Sequence, residues 1–165
     1  MRPLQLKLTG INSYREEQII DFETLTSQGL FGIFGPTGSG KSSILDAMTL
    51  ALYAKLPRDT KNFINTNEKK ANVSFLFSIT TDKTRKYLAE RSFRYHTGNN
   101  ASTVRNTTGR LILYEGDTET VLADKPTEVT NECIRLLGLT SEDFMRTVVL
   151  PQGQFSEFLR LKNKE

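Results

Sequence analysis

The chain has 165 residues, 37% hydrophobic and 25% charged, with 11 Gly and 5 Pro, the profile of one ordinary folded domain able to bury a core. One cysteine, Cys133, and one histidine, His96, exclude a disulfide framework, a thiolate metal cage and a histidine-rich metal site. Lys plus Arg exceed Asp plus Glu by 22 to 19, and the net charge of +3 permits an anionic partner without requiring one.

Leu4, Leu6 and Leu8 alternate with Gln5, Lys7 and Thr9, which predicts a strand with one buried face. Ile19-Ile20-Asp21-Phe22 predicts a second strand, antiparallel to the first. Leu30-Phe31-Gly32-Ile33-Phe34, between Gly29 and Gly35, is a nearly continuous apolar run and predicts a strand covered on both faces inside an α/β sheet. From Lys41 to about Ala54, Ile44, Leu45, Ala47, Met48, Ala51 and Leu52 recur at helical spacing and predict a mostly buried helix.

Past a polar stretch from Pro57 to Lys70, alternation returns at Val73–Ile79, Lys86–Tyr95 and Arg110–Tyr114. Loop-like segments at His96–Thr108 and Glu115–Asp117 separate these runs, so an antiparallel subsheet is expected over about residues 72–123. The last third reads as helical. One helix runs from Thr127 or Glu128 to Leu137 and ends at Gly138, and a second is entered through Thr140 or Ser141. Phe155, Phe158, Leu159 and Leu161 among polar residues read as an amphipathic helical start, either a frayed end or the beginning of a longer helix.

Gly35-Pro36-Thr37-Gly38-Ser39-Gly40-Lys41-Ser42 fulfils G-x-x-x-x-G-K-[ST] between a predicted strand and a predicted helix, the context that motif requires. A triphosphate needs many donors converging on a small volume, and closely approaching backbone N–H groups supply them. In that reading the loop and the helix N-terminus cradle phosphate, Lys41 neutralises β/γ charge, Ser42 ligates Mg²⁺ and Ser43 reaches the α-phosphate. The bland alternative is a Gly-rich turn that binds nothing. Hydrolysis also needs a carboxylate at the end of an apolar strand. Leu111-Ile112-Leu113-Tyr114-Glu115 ends in acid, but Gly116-Asp117 follows at once and reads as a hairpin turn. An incomplete ATPase is therefore expected.

The chain resembles the amino-terminal ATPase segment of SbcC, a family of SMC-like DNA repair ATPases with an ABC-type phosphate loop. The resemblance rests on Asn12-Ser13, Ile20-Asp21-Phe22, the Gly35–Ser42 loop with Leu45-Asp46-Ala47 and Leu52-Tyr53, and Gln152-Gly153-Gln154-Phe155 with Phe158-Leu159. It implies an α/β, ABC-ATPase-like lobe spanning 1–165, with a mixed sheet around the phosphate-loop helix, an antiparallel β subsheet, and a helical section over 127–161. It implies ATP and Mg²⁺ as cofactors, Asn12 and Ser13 beside the phosphates, and Gln152 as the Q-loop glutamine that ligates Mg²⁺ and senses the γ-phosphate. The segment around Asn65-Thr66-Asn67 corresponds to one near the adenine, though its sequence matches poorly. The implied partners are a carboxy-terminal ATPase lobe of the same protein, a second ATPase head, an SbcD-type nuclease and DNA. Hydrolysis is then expected only when the second lobe is joined, with Phe155–Leu161 as the root of a coiled coil.

An ABC transporter ATPase domain or a small P-loop kinase would share the loop. No apolar run approaches the ~18 residues of a membrane span, however, and a cytoplasmic, nucleoid-associated protein with no membrane partner is expected. Arg85, Lys86, Arg91, Arg94, Arg105 and Arg110, interleaved with Tyr87, Phe93 and Tyr95, could contact DNA phosphates. The preferred reading is a solvated sheet face balanced by Asp82, Glu90, Glu115, Asp117 and Glu119, with Cys133 a small core residue.

Overall fold

Leu4, Leu6 and Leu8 turn one face of β1 (Arg2–Thr9) into the core, as their alternation predicts. The computed structural model describes residues 1–26, 29–56, 62–97 and 102–149. β1 pairs on one side with β2 (Gln18–Asp21) and on the other with β3 (Lys70–Thr80). Adding β4 (Thr84–Thr97), β5 (Ser102–Glu115) and β6 (Thr118–Ala123) gives a six-stranded sheet in the order β2-β1-β3-β4-β5-β6, antiparallel at every pairing. Its inner face carries Ala71, Val73, Phe75 and Phe77 of β3 and Tyr87, Ala89 and Phe93 of β4. Phe77 stacks on Phe75 and Tyr87 at centroid distances of 5.4 and 5.6 Å.

That face is covered by α2 (Lys41–Tyr53) and α3 (Pro126–Leu137). α2 is buried at ten of its 13 positions, in keeping with the run of good helix formers and the sheet beneath it. α3 starts on Pro126 and ends at left-handed Gly138, and α4 (Ser141–Phe144) is capped by Thr140, whose hydroxyl accepts from the Asp143 N–H. A π-helical turn follows at Met145–Val149. Cys133 is fully buried, a packed core residue as expected, and that burial pushes its thiol up to about 12. The acid at Glu115 lies beside the Gly116-Asp117 hairpin turn, and it takes a hydrogen bond from Arg85 Nε at 3.2 Å.

Four expectations need correction. The strand foreseen at Leu30–Phe34 is not formed, because the run has no neighbouring strand to take its backbone N–H and C=O groups. Leu30 and Phe34 are 87% and 93% exposed, whereas Phe31 alone reaches inward to tilt against Phe22 at 5.9 Å. The described residues of the segment expected as a loop at His96–Thr108 are strand, since β4 extends to Thr97 and β5 begins at Ser102. Backbone pairing across the two arms overrides the turn-forming side chains there. Phe22 does not continue β2. Asp21 caps a short helical turn, α1 (Phe22–Leu25), by accepting from the N–H groups of Glu23 and Thr24. Arg91, placed on a solvated face by the sequence, is fully buried. Lys86, Arg94, Arg105 and Arg110 are exposed, and Arg85 pairs with Asp82 and Glu115.

Candidate functional site: the phosphate loop and its strap

The loop from Gly35 to Ser39 is exposed and delivers the chain into α2 through Gly40, the helix N-cap. Gly40 has φ 90°, a left-handed conformation that a side chain would strain. It offers no side chain to cap the helix, and the first turn of α2 holds no acid. Ser43 N–H closes a turn onto the Gly40 carbonyl at 2.9 Å. The Lys41 and Ser42 N–H groups, at the first two positions of the helix, have no side-chain capping acceptor. Uncapped first-turn amides and the positive end of the helix dipole suit an anion of several charges. This donor set fits a nucleotide polyphosphate.

Lys41 folds back over the loop that precedes it. Its Nζ donates to the Gly35 carbonyl at 2.6 Å and the Pro36 carbonyl at 2.7 Å, with Ser39 Oγ at 3.4 Å. The ammonium is thus already centred on the loop and held by neutral acceptors, which a phosphate can replace with stronger charge-assisted bonds. Ser42 lies exposed beside it, free to present its hydroxyl to a cation. Thr37 and Gly38 are also exposed on the rim.

Asn12 and Ser13 come to this loop from the amino-terminal strand. Ile11 and Tyr14 exchange two backbone hydrogen bonds, 2.9 and 2.8 Å, around a tight turn in which Asn12 takes φ 48°. Asn12 Nδ2 donates to Ser43 Oγ at 2.8 Å, and Ser13 Oγ donates to the Gly38 carbonyl at 2.8 Å. The turn is therefore a strap across the phosphate loop. Its outer side is tied to a segment the sequence left as a polar stretch. Asn12 N–H donates to the Phe63 carbonyl at 2.8 Å, Asn65 Nδ2 to the Asn12 carbonyl at 2.6 Å, and Asn65 N–H to the Gly10 carbonyl at 2.9 Å. Arg15 Nε pairs with Glu68 at 2.9 Å beside them. The apolar pair Phe63-Ile64, buried here, was the available signal that this stretch returns to the core.

The far end of α2 is held by Arg91, which donates to the Ala51 and Leu52 carbonyls. Burial draws its guanidinium down to about 10, still charged at neutral pH. Of the residues singled out by sequence, the structure assembles Asn12, Ser13, Gly35, Pro36, Thr37, Gly38, Ser39, Gly40, Lys41, Ser42 and Ser43 in one place. Gln152, with the rest of the 152–155 motif and the helix at 155–161, lies outside the described residues. Tyr14, which no sequence motif marks, lies with its ring tip against Gly40.

No helix among the described residues is long and apolar enough to cross a membrane. The chain is 51% identical over 168 aligned residues to the SbcC component of the SbcCD nuclease of Bacillus subtilis, and 48% identical over 165 residues to that of Clostridium acetobutylicum. Each alignment covers 100% of this chain and 14% of the relative. A probable DNA double-strand break repair Rad50 ATPase of Aquifex aeolicus is 35% identical over 165 residues, covering 97% of this chain and 15% of that protein. The chain thus spans 14% to 15% of the length of these curated relatives. A family model described as an AAA domain matches residues 5–165. That match encloses the phosphate loop, the helix it opens and the strap that crosses it, and the chain belongs to the AAA-domain family.

Proposed function

We propose that the chain is the ATP-binding lobe of an SbcC-type DNA repair ATPase. The observation that carries this reading is the uncapped N-terminus of α2 with Lys41 lying over its own loop at 2.6 and 2.7 Å from two carbonyls. The extent of the likeness to the SbcC components of SbcCD nucleases supports it. Bound ATP supplies a polyphosphate whose charge the complex must neutralise, together with the Mg²⁺ that accompanies it. The loop amides and Lys41 grip the phosphates, Asn12 and Ser13 brace the loop, and Ser42 gives the metal a hydroxyl ligand. Gln152 is assigned the second protein ligand and the sensing of the γ-phosphate.

Hydrolysis in this reading requires a carboxy-terminal lobe carrying the acidic strand and the signature motif. Leu30 and Phe34 are an apolar surface that such a lobe would cover. ATP held between two heads then drives their closure, because contacts to the γ-phosphate exist only with triphosphate bound. An SbcD-type nuclease and DNA are the remaining partners, with action in the cytoplasm at the nucleoid.

Calorimetric titration with Mg-ATP tests the reading. Lys41→Ala should weaken binding at least about 100-fold through loss of the charge-assisted contacts, with the melting temperature unchanged. An affinity equal to that of the wild type overturns the assignment.

A further inference from the structure

We infer that Tyr14 is a nucleotide-contacting residue, its phenol hydroxyl donating to a phosphate oxygen of the polyphosphate that the loop holds. The inference rests on the nucleotide-binding reading of that loop and adds a residue to it.

Three observations carry it. First, the position of Tyr14 is fixed, because the Ile11–Tyr14 turn is closed by two backbone hydrogen bonds and anchored to the loop through Ser13 and Asn12. Second, the phenol tip rather than the body of the ring meets the loop. A β-carbon built on Gly40 would lie 2.8 Å from Tyr14 Cε2 and Cζ and 3.0 Å from its Oη. The hydroxyl is therefore beside the N-cap of α2, where the uncapped amides and the helix dipole favour anionic oxygen. Third, that hydroxyl donates to no acceptor among the described residues, whereas Tyr53 and Tyr95 give theirs to the carbonyls of Leu139 and Ile64 at 3.2 Å. A half-buried tyrosine normally finds a partner for its O–H.

The chemistry selects phosphate over base. Stacking on adenine needs the open face of a ring, and here the end of the phenol is what lies over the N-cap of the helix. A phenol O–H can donate a short, charge-assisted bond to phosphate oxygen without adding charge of its own. The same ring walls the one glycine of the loop that carries a left-handed φ immediately before Lys41, so the loop cannot accept a side chain at that point.

The test is displacement of a fluorescent ATP analogue by Mg-ATP and by inorganic tripolyphosphate. It uses the protein as its host expresses it, in wild-type, Tyr14→Phe and Lys41→Ala forms, at a temperature where all three are folded. Phenylalanine keeps the ring and its packing, so Tyr14→Phe should melt with the wild type. It should bind ATP and tripolyphosphate each about tenfold more weakly, the scale of one charge-assisted hydrogen bond. Affinities within about twofold of wild type for both ligands, beside a Lys41→Ala protein that has lost binding, overturn the role of Tyr14 and leave the loop's function standing. A loss seen with ATP but absent with tripolyphosphate moves the contact to sugar or base and overturns the phosphate assignment. A wild-type protein that binds neither ligand overturns both readings.

Discussion

Arg91 reaches from β4 to the last turn of α2, where its Nε donates to the Ala51 carbonyl at 2.8 Å. Its Nη2 donates to the Leu52 carbonyl at 3.0 Å and Thr130 Oγ1 at 2.9 Å, and its Nη1 to the Pro126 carbonyl at 2.8 Å. No carboxylate is among these partners; the negative end of the α2 dipole and three carbonyl oxygens take the charge. Removing the guanidinium takes the side-chain donor from the Ala51 and Leu52 carbonyls, while the Pro126 carbonyl keeps the Thr130 hydroxyl. Arg91→Ala should cost about 3–5 kcal/mol in urea unfolding, as expected for a buried polar network that loses its cation. Arg91→Lys should recover only part of this, since a single ammonium cannot fork to four acceptors. An Arg91→Ala protein as stable as the wild type would show that the network contributes nothing.

Gly10 allows the strap to leave β1. It holds φ +69°, and a β-carbon there would lie 2.3 Å from the backbone oxygen of Lys70 in the neighbouring strand. Gly10→Ala should therefore destabilise by about 2 kcal/mol or more, left-handed strain and backbone clash acting together. The Gly10 carbonyl accepts from Asn65 N–H, and Asn12 and Ser13 follow directly, so nucleotide affinity should fall with it. Melting curves and ATP titration of the same preparation measure both effects, and an unshifted melting temperature would contradict the geometry.

Much of this fold could be read from residue pattern because the pattern and its physical cause are local. Leu4-Leu6-Leu8, the spacing through α2, and Gly138 after α3 each state their structure within a few residues. The failures involve information held elsewhere in the chain. Arg91 carries no local sign of burial, since the acceptors that satisfy it are contributed by α2 and α3, about 40 residues away on either side. Leu30–Phe34 has the composition of a central strand, but composition cannot supply the neighbouring strands it needs. The Gly35–Ser42 motif announced the loop, while the hydrogen bonds that strap it run between segments 25 and 31 positions apart. Tyr14 could not be singled out because its significance is a contact with Gly40 and not a spacing.

A pH-dependent contact ties the end of α2 to α4. Lys55 Nζ donates to Glu142, and with the residue's own backbone N–H and the Ser141 hydroxyl it draws the Glu142 carboxyl from its ordinary 4.5 down to about 2. A carboxylate whose folded value is depressed adds stability that is complete above the unfolded value and lost as pH falls toward the folded one. The stability gap between wild type and Glu142→Gln should thus be constant above about pH 5 and close between about pH 4.5 and 2. Both side chains are exposed, so added salt should narrow the gap at neutral pH. Denaturation series at several pH values read this directly, and a gap indifferent to pH would refute the pairing.

The exposed run at Leu30 and Phe34 offers the sharpest test of the two-lobe reading, because it separates stability from assembly. Within this chain these side chains contact little, and replacing an exposed residue away from caps, turns and buried networks shifts stability by no more than about 0.5 kcal/mol. The double substitution Leu30→Ser with Phe34→Ser should accordingly leave the melting temperature of the chain nearly unchanged and improve its solubility, since two large apolar side chains leave contact with water. If a carboxy-terminal lobe covers the run, the same substitutions should weaken association of the two lobes at least about tenfold, the scale expected when two buried apolar anchors are lost. Sedimentation of the mixed lobes measures it. Undiminished association would mean that the lobes meet elsewhere, and that the apolar run before the phosphate loop has some other cover.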